Sequence, residues 1–262
     1  MGSELIALDL SFRRKSLIGY SVGMALYVLV VVALYPSFKD STDLDSFTES
    51  SPGLAALFGI SESLTSPIGW LSANVYANFF PLLILLLTIG YGAFCLAGQE
   101  RDGHLELVLS LPFRRRQVVL EKVATLALQA FLFSVVVYVC TLAGRAFELD
   151  VDAWNLATTT LGVALLGIDF GLLAVAVGAA TGNRGQALGI ASTVAAASYL
   201  VSSMAPLVSW LEPLRYLSLF YWSVGNDQLD SGLSIGSLVV LVAVGVAGAV
   251  AALVAFDRHD LT

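Results

Sequence analysis

Charge is what this sequence has least of. Lys, Arg, Asp and Glu make up 13% of its 262 residues, against about 25% in ordinary soluble domains. With 57% hydrophobic residues and a mean hydropathy of +0.83, too few polar groups remain to cover the apolar surface. That excludes an ordinary soluble enzyme and a disordered regulator. Cysteine is nearly absent as well: Cys95 and Cys140 lie inside apolar stretches, so a disulfide-built secreted scaffold is excluded. The two histidines, His104 and His259, form no H-x-x-x-H pair, and neither C-x-x-C nor G-x-S-x-G occurs. No G-x-x-x-x-G-K-S/T phosphate loop is present either; the inner turn 182–185 has glycines but no Lys-Ser/Thr. The chain is therefore not read as an enzyme, and it carries no metal site. A net charge of −7 and a pI near 4.7 lack the basic footprint of a nucleic-acid binder.

What the sequence has is long apolar runs. A run of about 20 residues crosses a hydrocarbon core of roughly 30 Å as a helix, which alone satisfies its own backbone. Six such runs are found, near residues 17–35, 78–98, 119–142, 156–180, 187–208 and 236–256. The first follows Arg13-Arg14-Lys15 and is too long, and too far from a small-residue cleavage site, to be a signal peptide. Six spans with both termini inside leave only Lys39, Arg145 and Arg215 outside, and put the other ten of the 13 basic residues on the cytoplasmic side. The expected fold is an all-α integral membrane protein forming one transmembrane domain over residues 1–262. Cys95 and Cys140 then lie at opposite membrane faces, too far apart to bridge. The acidic residues gather outside, where a solvated rim is the plainer reading than a cation funnel.

The segments between spans carry content. Residues 1–16 alternate Leu5, Ile6, Leu8, Leu10 and Phe12 with polar positions, and predict a cytoplasmic interfacial helix anchored to anionic lipid. The outer segment 36–77 is too long for a plain connector. Its stretches 54–60 and 70–80 predict short amphipathic helices on the outer leaflet feeding the second span. A second outer segment, 209–235, holds Tyr216, Phe220, Tyr221 and Trp222, a cluster suited to the headgroup level and to a re-entrant or interfacial piece. The inner loop 99–118 is the most informative. Leu105, Leu107, Leu109 and Leu111 alternate, while Leu105, Val108, Leu109 and Pro112 share a helical face; periodicity leaves both open, and the setting favours a short helix. An apolar knob with charged flanks, projecting into the cytoplasm, calls for something that binds it.

The run Glu100-x-x-Gly103-x-Leu105-Glu106-Leu107-x-Leu109-Ser110-x-Pro112-x-Arg114, followed by Lys122 at the start of the third span, resembles the type-2 ABC transporter permeases. In that family the loop between spans two and three is the coupling helix that touches the ATPase subunit. The outer segment at Pro213-Leu214-Arg215-Tyr216 looks like the family's re-entrant region, and the ending 256–261 is similar to its usual one. His104 stands where Thr is common, and no Ser separates Phe113 from Arg114. The resemblance implies that Glu100, Gly103, Leu105, Glu106, Leu109, Pro112, Arg114 and Lys122 serve ATPase coupling. It implies a second permease subunit, identical or similar, and two nucleotide-binding subunits that carry the ATP and Mg, so that this chain binds no cofactor itself. It also implies export of a lipophilic drug, antibiotic, lipid or small solute across the cytoplasmic membrane of a prokaryote.

One acid falls inside a span. Asp169, within Gly167-Ile168-Asp169-Phe170-Gly171, lies near the middle of the fourth run, where an ionisable group is costly and suggests function. Its plainer reading is a structural pairing with Ser192, Thr193, Ser198 or Tyr199 of the fifth run. Gly167 and Gly171 allow close helix approach beside it. Asp169 also supports a competing function, a proton- or cation-coupled secondary transporter. Against this stand the absence of clear inverted repeats and broken helices, and a cytoplasmic knob for which a carrier has no use.

Overall fold

A computed structural model describes residues 2–41, 63–101, 115–225 and 228–258 of the chain. These residues form helices and turns and no strand. In chain order the α-helices are α1 Gly2–Phe38, α2 Pro67–Leu71, α3 Phe79–Cys95, α4 Ala97–Arg101, α5 Arg115–Leu142, α6 Ala153–Thr181, α7 Arg184–Met204, α8 Leu219–Ser223, α9 Gln228–Ser231 and α10 Ile235–Arg258. A π-turn, Ser72–Tyr76, leads into α3, and 3-10 turns at Ala143–Phe147 and Glu212–Leu217 follow α5 and precede α8. Six helical segments are long and apolar enough to cross a membrane: Arg13–Phe38, Pro67–Cys95, Arg116–Phe147, Ala153–Thr181, Arg184–Met204 and Ile235–Arg258. They match the six apolar runs.

Local chemistry sets where these helices start and stop. The Asp152 carboxylate accepts from the backbone N–H groups of Trp154 and Asn155, satisfying donors that the first turn of α6 leaves free. At the other end Gly182 takes a left-handed φ of 59°, which ends α6. The next residue, Asn183, caps α7 by accepting from Gly185 and Gln186 N–H. One glycine and one asparagine thus reverse the chain between two spans.

α6 is the hub, packed by α3, α5, α7 and α10. Small residues make that possible. A Cβ on Gly92 of α3 would lie 2.3 Å from the backbone oxygen of Gly171, and one on Gly171 would lie 2.7 Å from Leu126 Cδ1 of α5. Gly167 receives Ile84 in the same way. The expected glycine approach beside Asp169 is present, against α3 and α5.

Helix ends sort into two groups. Asp9 with Lys122, and Arg116 with Asp257, join helices at the end that carries both termini. Lys39 with Glu148, and Asn155 with Asp230, do so at the far end. The Glu148 carboxylate raises the Lys39 pKa by accepting a hydrogen bond from its ammonium.

Three features of the connecting segments differ from expectation. Residues 3–16 are not set apart from the first span; α1 runs unbroken through them. The segment 70–80 does not lie on a leaflet. Trp70, Leu71, Val75 and Tyr76 are buried against α1, where Trp70 Nε1 donates to Val31 O at 3.0 Å and the Tyr27 and Tyr35 hydroxyls donate to Asn74 O and Thr65 O. Trp70 and Tyr76 have apolar bodies and one polar handle each; the Trp70 handle finds α1, and the Tyr76 hydroxyl finds Thr160 Oγ1 of α6 at 2.9 Å. Phe220 leaves the outer aromatic cluster and is buried against Phe170 and Tyr199. Its neighbours Tyr216, Tyr221 and Trp222 do cluster, with Arg215 over the two tyrosine rings. The stretch 54–60 lies outside the described residues.

Candidate functional site

The inner loop's two roots converge on one carboxylate. Of the expected coupling residues, Gly103, Leu105, Glu106, Leu109, Pro112 and Arg114 lie outside the described residues, as does the side chain of Glu100. Lys122 is described. Its ammonium, 3% exposed, meets both oxygens of Asp9 at 2.8 and 2.6 Å. Tyr91 Oη donates to Asp9 Oδ2 at 3.0 Å, and Gln99 Nε2 to Oδ1 at 3.4 Å. Gln99 is on α4, at the start of the loop, and Lys122 is on α5, just after it. Asp9 belongs to α1 and Tyr91 to α3. Four helices are thus tied by a buried ion pair with further hydrogen bonds, the arrangement that a desolvated charge pair needs.

Beside this knot two guanidiniums enclose one ring. Arg13 lies 4.7 Å and Arg184 5.4 Å from the Phe94 centroid, joining the starts of the first and fifth spans to the end of the second. Cys95, next to Phe94, is buried and free; Cys140 is free and half-buried near the far end.

A groove of about 420 Å³ opens between α3 and α7. Pro81, Leu82, Leu85, Leu86 and Ile89 form one wall, with Leu188, Ala195 and Ala196 opposite and Phe220 closing one end. Its polar points are few: exposed Ser192, and Asn78, whose side-chain oxygen accepts from Tyr199 Oη at 2.9 Å. Gly90 lines the wall with no atom within 4 Å of where a Cβ would stand, so its missing side chain leaves open space. Size and lining suit an apolar small molecule held by one or two polar contacts.

Asp169 is buried, 5% exposed, and no group among the described residues hydrogen-bonds either carboxylate oxygen. The expected partners on α7 face elsewhere. Ser198 bonds Ser218, Tyr199 bonds Asn78, and Ser192 and Thr193 are exposed. Asp169 instead abuts α10, where a Cβ on Gly245 would come within 2.9 Å of Oδ1.

Asp9, Tyr91, Gln99 and the groove's Asn78 were not anticipated from the sequence. One signal pointed to Asp9: a lysine inside an apolar run, at position 122, needs a carboxylate, and Asp9 lies within an apolar stretch of its own.

Comparison with curated proteins yields no match. A family model described as ABC-2 family transporter protein matches residues 4–261, almost the whole chain and all six candidate spans. With six packed apolar helices and that coverage, the chain belongs to the ABC-2 family of transporter proteins, and is a multi-pass membrane permease.

Proposed function

We propose that the chain is the transmembrane subunit of an exporter driven by ATP hydrolysis on a separate nucleotide-binding subunit. The cytoplasmic face is the one that carries both termini and the two roots of the inner loop 99–118. The observation that carries the reading is the knot at the loop's roots, where Gln99 and Lys122 both bind Asp9. A push on the loop passes through a dry ion pair into α1, α3 and α5 at once, because packed, paired elements move together rather than deform. Nucleotide on the partner supplies the differential affinity for two conformations that any such cycle needs. The chain itself takes part in no step of hydrolysis, and ATP with Mg sits on the partner. Leu105, Leu109 and Arg114 make the contact, and Glu100, Gly103, Glu106 and Pro112 shape it.

The cargo is lipophilic. The groove between α3 and α7 is walled by hydrocarbon with hydroxyl and amide groups at a few points, which suits a drug-like molecule or a lipid portion better than a charged solute. A second permease subunit completes the pathway, in the cytoplasmic membrane of a prokaryote.

Mild-detergent purification of the tagged chain from its native membrane tests the pairing. A stoichiometric ATPase subunit is expected to accompany it, and a combined change at Leu105, Leu109 and Arg114 is expected to abolish substrate-stimulated ATP hydrolysis while the spans stay folded. Unchanged assembly and transport in that variant would overturn the coupling assignment. If the chain purifies alone and transports unaided, the secondary-transporter alternative takes over.

A further inference from the structure

Three buried polar side chains have every side-chain polar atom without a hydrogen-bond partner among the described residues: Ser134 of α5 and, as a pair on neighbouring helices, Asp169 of α6 and Gln129 of α5. Asp169 and Gln129 are 5% and 1% exposed. Both sit far from either membrane face. Asp169 is about twelve residues from the end of α6, roughly 18 Å at 1.5 Å per residue.

Helix register brings them to one level. Leu126 of α5 packs on Gly171 of α6, and the two helices run antiparallel, so Gln129, about one turn further along α5, comes level with Ile168 and Asp169. α10 closes the same layer. Its Gly248 meets Leu172 and its Gly245 meets Asp169, while Arg116 of α5 pairs with Asp257 of α10. That antiparallel pairing also sets Gln129 opposite Gly245. Glycine there leaves the carboxylate room that any side chain would take.

Below this layer the buried face of α5 carries polar groups among Val118, Val119 and Leu126. Lys122, Thr125 and Gln129 recur at helical spacing, and all three are buried. Thr125 lies beside the Tyr91 phenol, which donates to Asp9. A line of polar groups thus runs from the ion pair at the terminal end of the bundle to the middle of the membrane. Outward of Gln129 the buried hydroxyls of Ser134, Thr141 and Thr160 also occur, but Phe133 and Val137 take the positions at helical spacing from Gln129 and interrupt the line.

An ionised carboxylate at this depth needs a counter-charge, and no described element offers one. The nearest titratable groups of the packed helices lie toward the ends: Tyr91 and Cys95 of α3, Glu121, Lys122, Tyr138 and Cys140 of α5, Tyr199 of α7, Tyr221 of α8, Asp230 of α9, and Asp257 with Arg258 of α10. Lys122 is already engaged with Asp9. A proton removes the charge, and Gln129, at the same level, has a side-chain oxygen with no partner among the described residues.

We propose that Asp169 is a proton-binding site in the middle of the membrane, reached from the terminal end of the bundle along Lys122, Thr125 and Gln129. It does not rest on the pairing with an ATPase. A proton arriving there neutralises the junction of α5, α6 and α10, and its departure leaves a charge that draws water in and loosens the contact at Gly245.

A hydrophobic carbodiimide tests this directly, because it adds only to a protonated carboxyl. The acid O–H adds across one C=N bond, and the O-acylisourea rearranges to a stable N-acylurea found by peptide mass spectrometry. The chain is reconstituted in proteoliposomes, with its orientation set by protease access to a C-terminal tag, and a different pH is imposed on each side. Dicyclohexylcarbodiimide is expected to label Asp169, and Asp169→Asn is expected to lose that adduct. Labelling is expected to fall when the pH is raised on the side of the termini and to ignore the opposite side. Thr125→Val is expected to slow the response to a pH jump several-fold while leaving the final extent unchanged. No adduct on a recovered α6 peptide, labelling that ignores both sides, or labelling that follows the far side would each overturn the proposal.

Discussion

At the residue scale the Asp9–Lys122 pair decides most. Removing one partner of a buried pair leaves the other charge desolvated and unmatched, at a cost of about 3–5 kcal/mol, whereas removing both together costs far less. Lys122→Met and Asp9→Asn are each expected to lower the thermal transition of the detergent-solubilised protein markedly. The combined variant is expected to recover much of the loss. Transition temperatures of the four proteins in one double-substitution cycle measure the coupling directly. Additive losses would mean that the pair contributes little to holding α1 on α5, and that the load passes instead through Tyr91 and Gln99. Glu148 offers a smaller case, since it adopts a φ of 63°, a conformation that strains a residue with a side chain by about 1 kcal/mol or more.

At the scale of elements, two glycines on α3 separate packing from pathway. Gly92 faces α6 so closely that a methyl group would fall 2.3 Å from Gly171 O, against backbone that has nowhere to go. Gly90 faces the groove and meets nothing within 4 Å. Gly92→Ala is therefore expected to destabilise the bundle by about 3 kcal/mol, the upper range for overpacking. Gly90→Ala is expected to be neutral or to stabilise by up to about 1 kcal/mol through helix propensity. Gly90→Leu is expected to keep the fold and cut transport by filling the groove. Thermal stability and vesicle transport measured on the three proteins separate the roles, and equal stability of the Gly90→Ala and Gly92→Ala variants would refute the close α3–α6 contact. From sequence alone Gly90 and Gly92 were indistinguishable. Both stand in one apolar run, and the apolar run predicts a span but not which face of it meets protein.

That limit holds across the whole molecule. The six spans were legible because a hydrocarbon core demands about 20 apolar residues each time, and the demand is local. The inward folding of 70–80 was not, because Trp70 and Tyr76 suit a lipid interface and a protein core equally well until α1 presents Val31 O to the one and α6 presents Thr160 to the other. Asp169 was legible as an anomaly, yet its neighbour was misassigned: α7 has hydroxyls to offer, but register sets Asp169 against Gly245 and level with Gln129. Register depends on glycine contacts between distant segments, which no single span encodes.

The same reasoning separates the two least buried faces of the bundle. α10 turns Val239, Val242, Val246, Val250 and Val254 outward, a surface that lipid chains cover well. α7 also turns out Leu188, Ile190, Val194 and Leu200, but one side of it carries Gln186, Gly189, Thr193 and Ala197, together with Ser192 at the groove. Small and hydroxyl-bearing residues gain little from lipid and pack closely against another helix. If two permease copies pair, they meet along α7, and each groove then opens beside the seam. In a chain with Cys95 and Cys140 changed to Ala, Thr193→Cys is expected to give a disulfide-linked dimer on mild oxidation in membranes, and Val246→Cys is expected to stay monomeric. The reverse pattern would put α10 at the seam and leave the groove facing lipid, from which its cargo would then have to enter sideways.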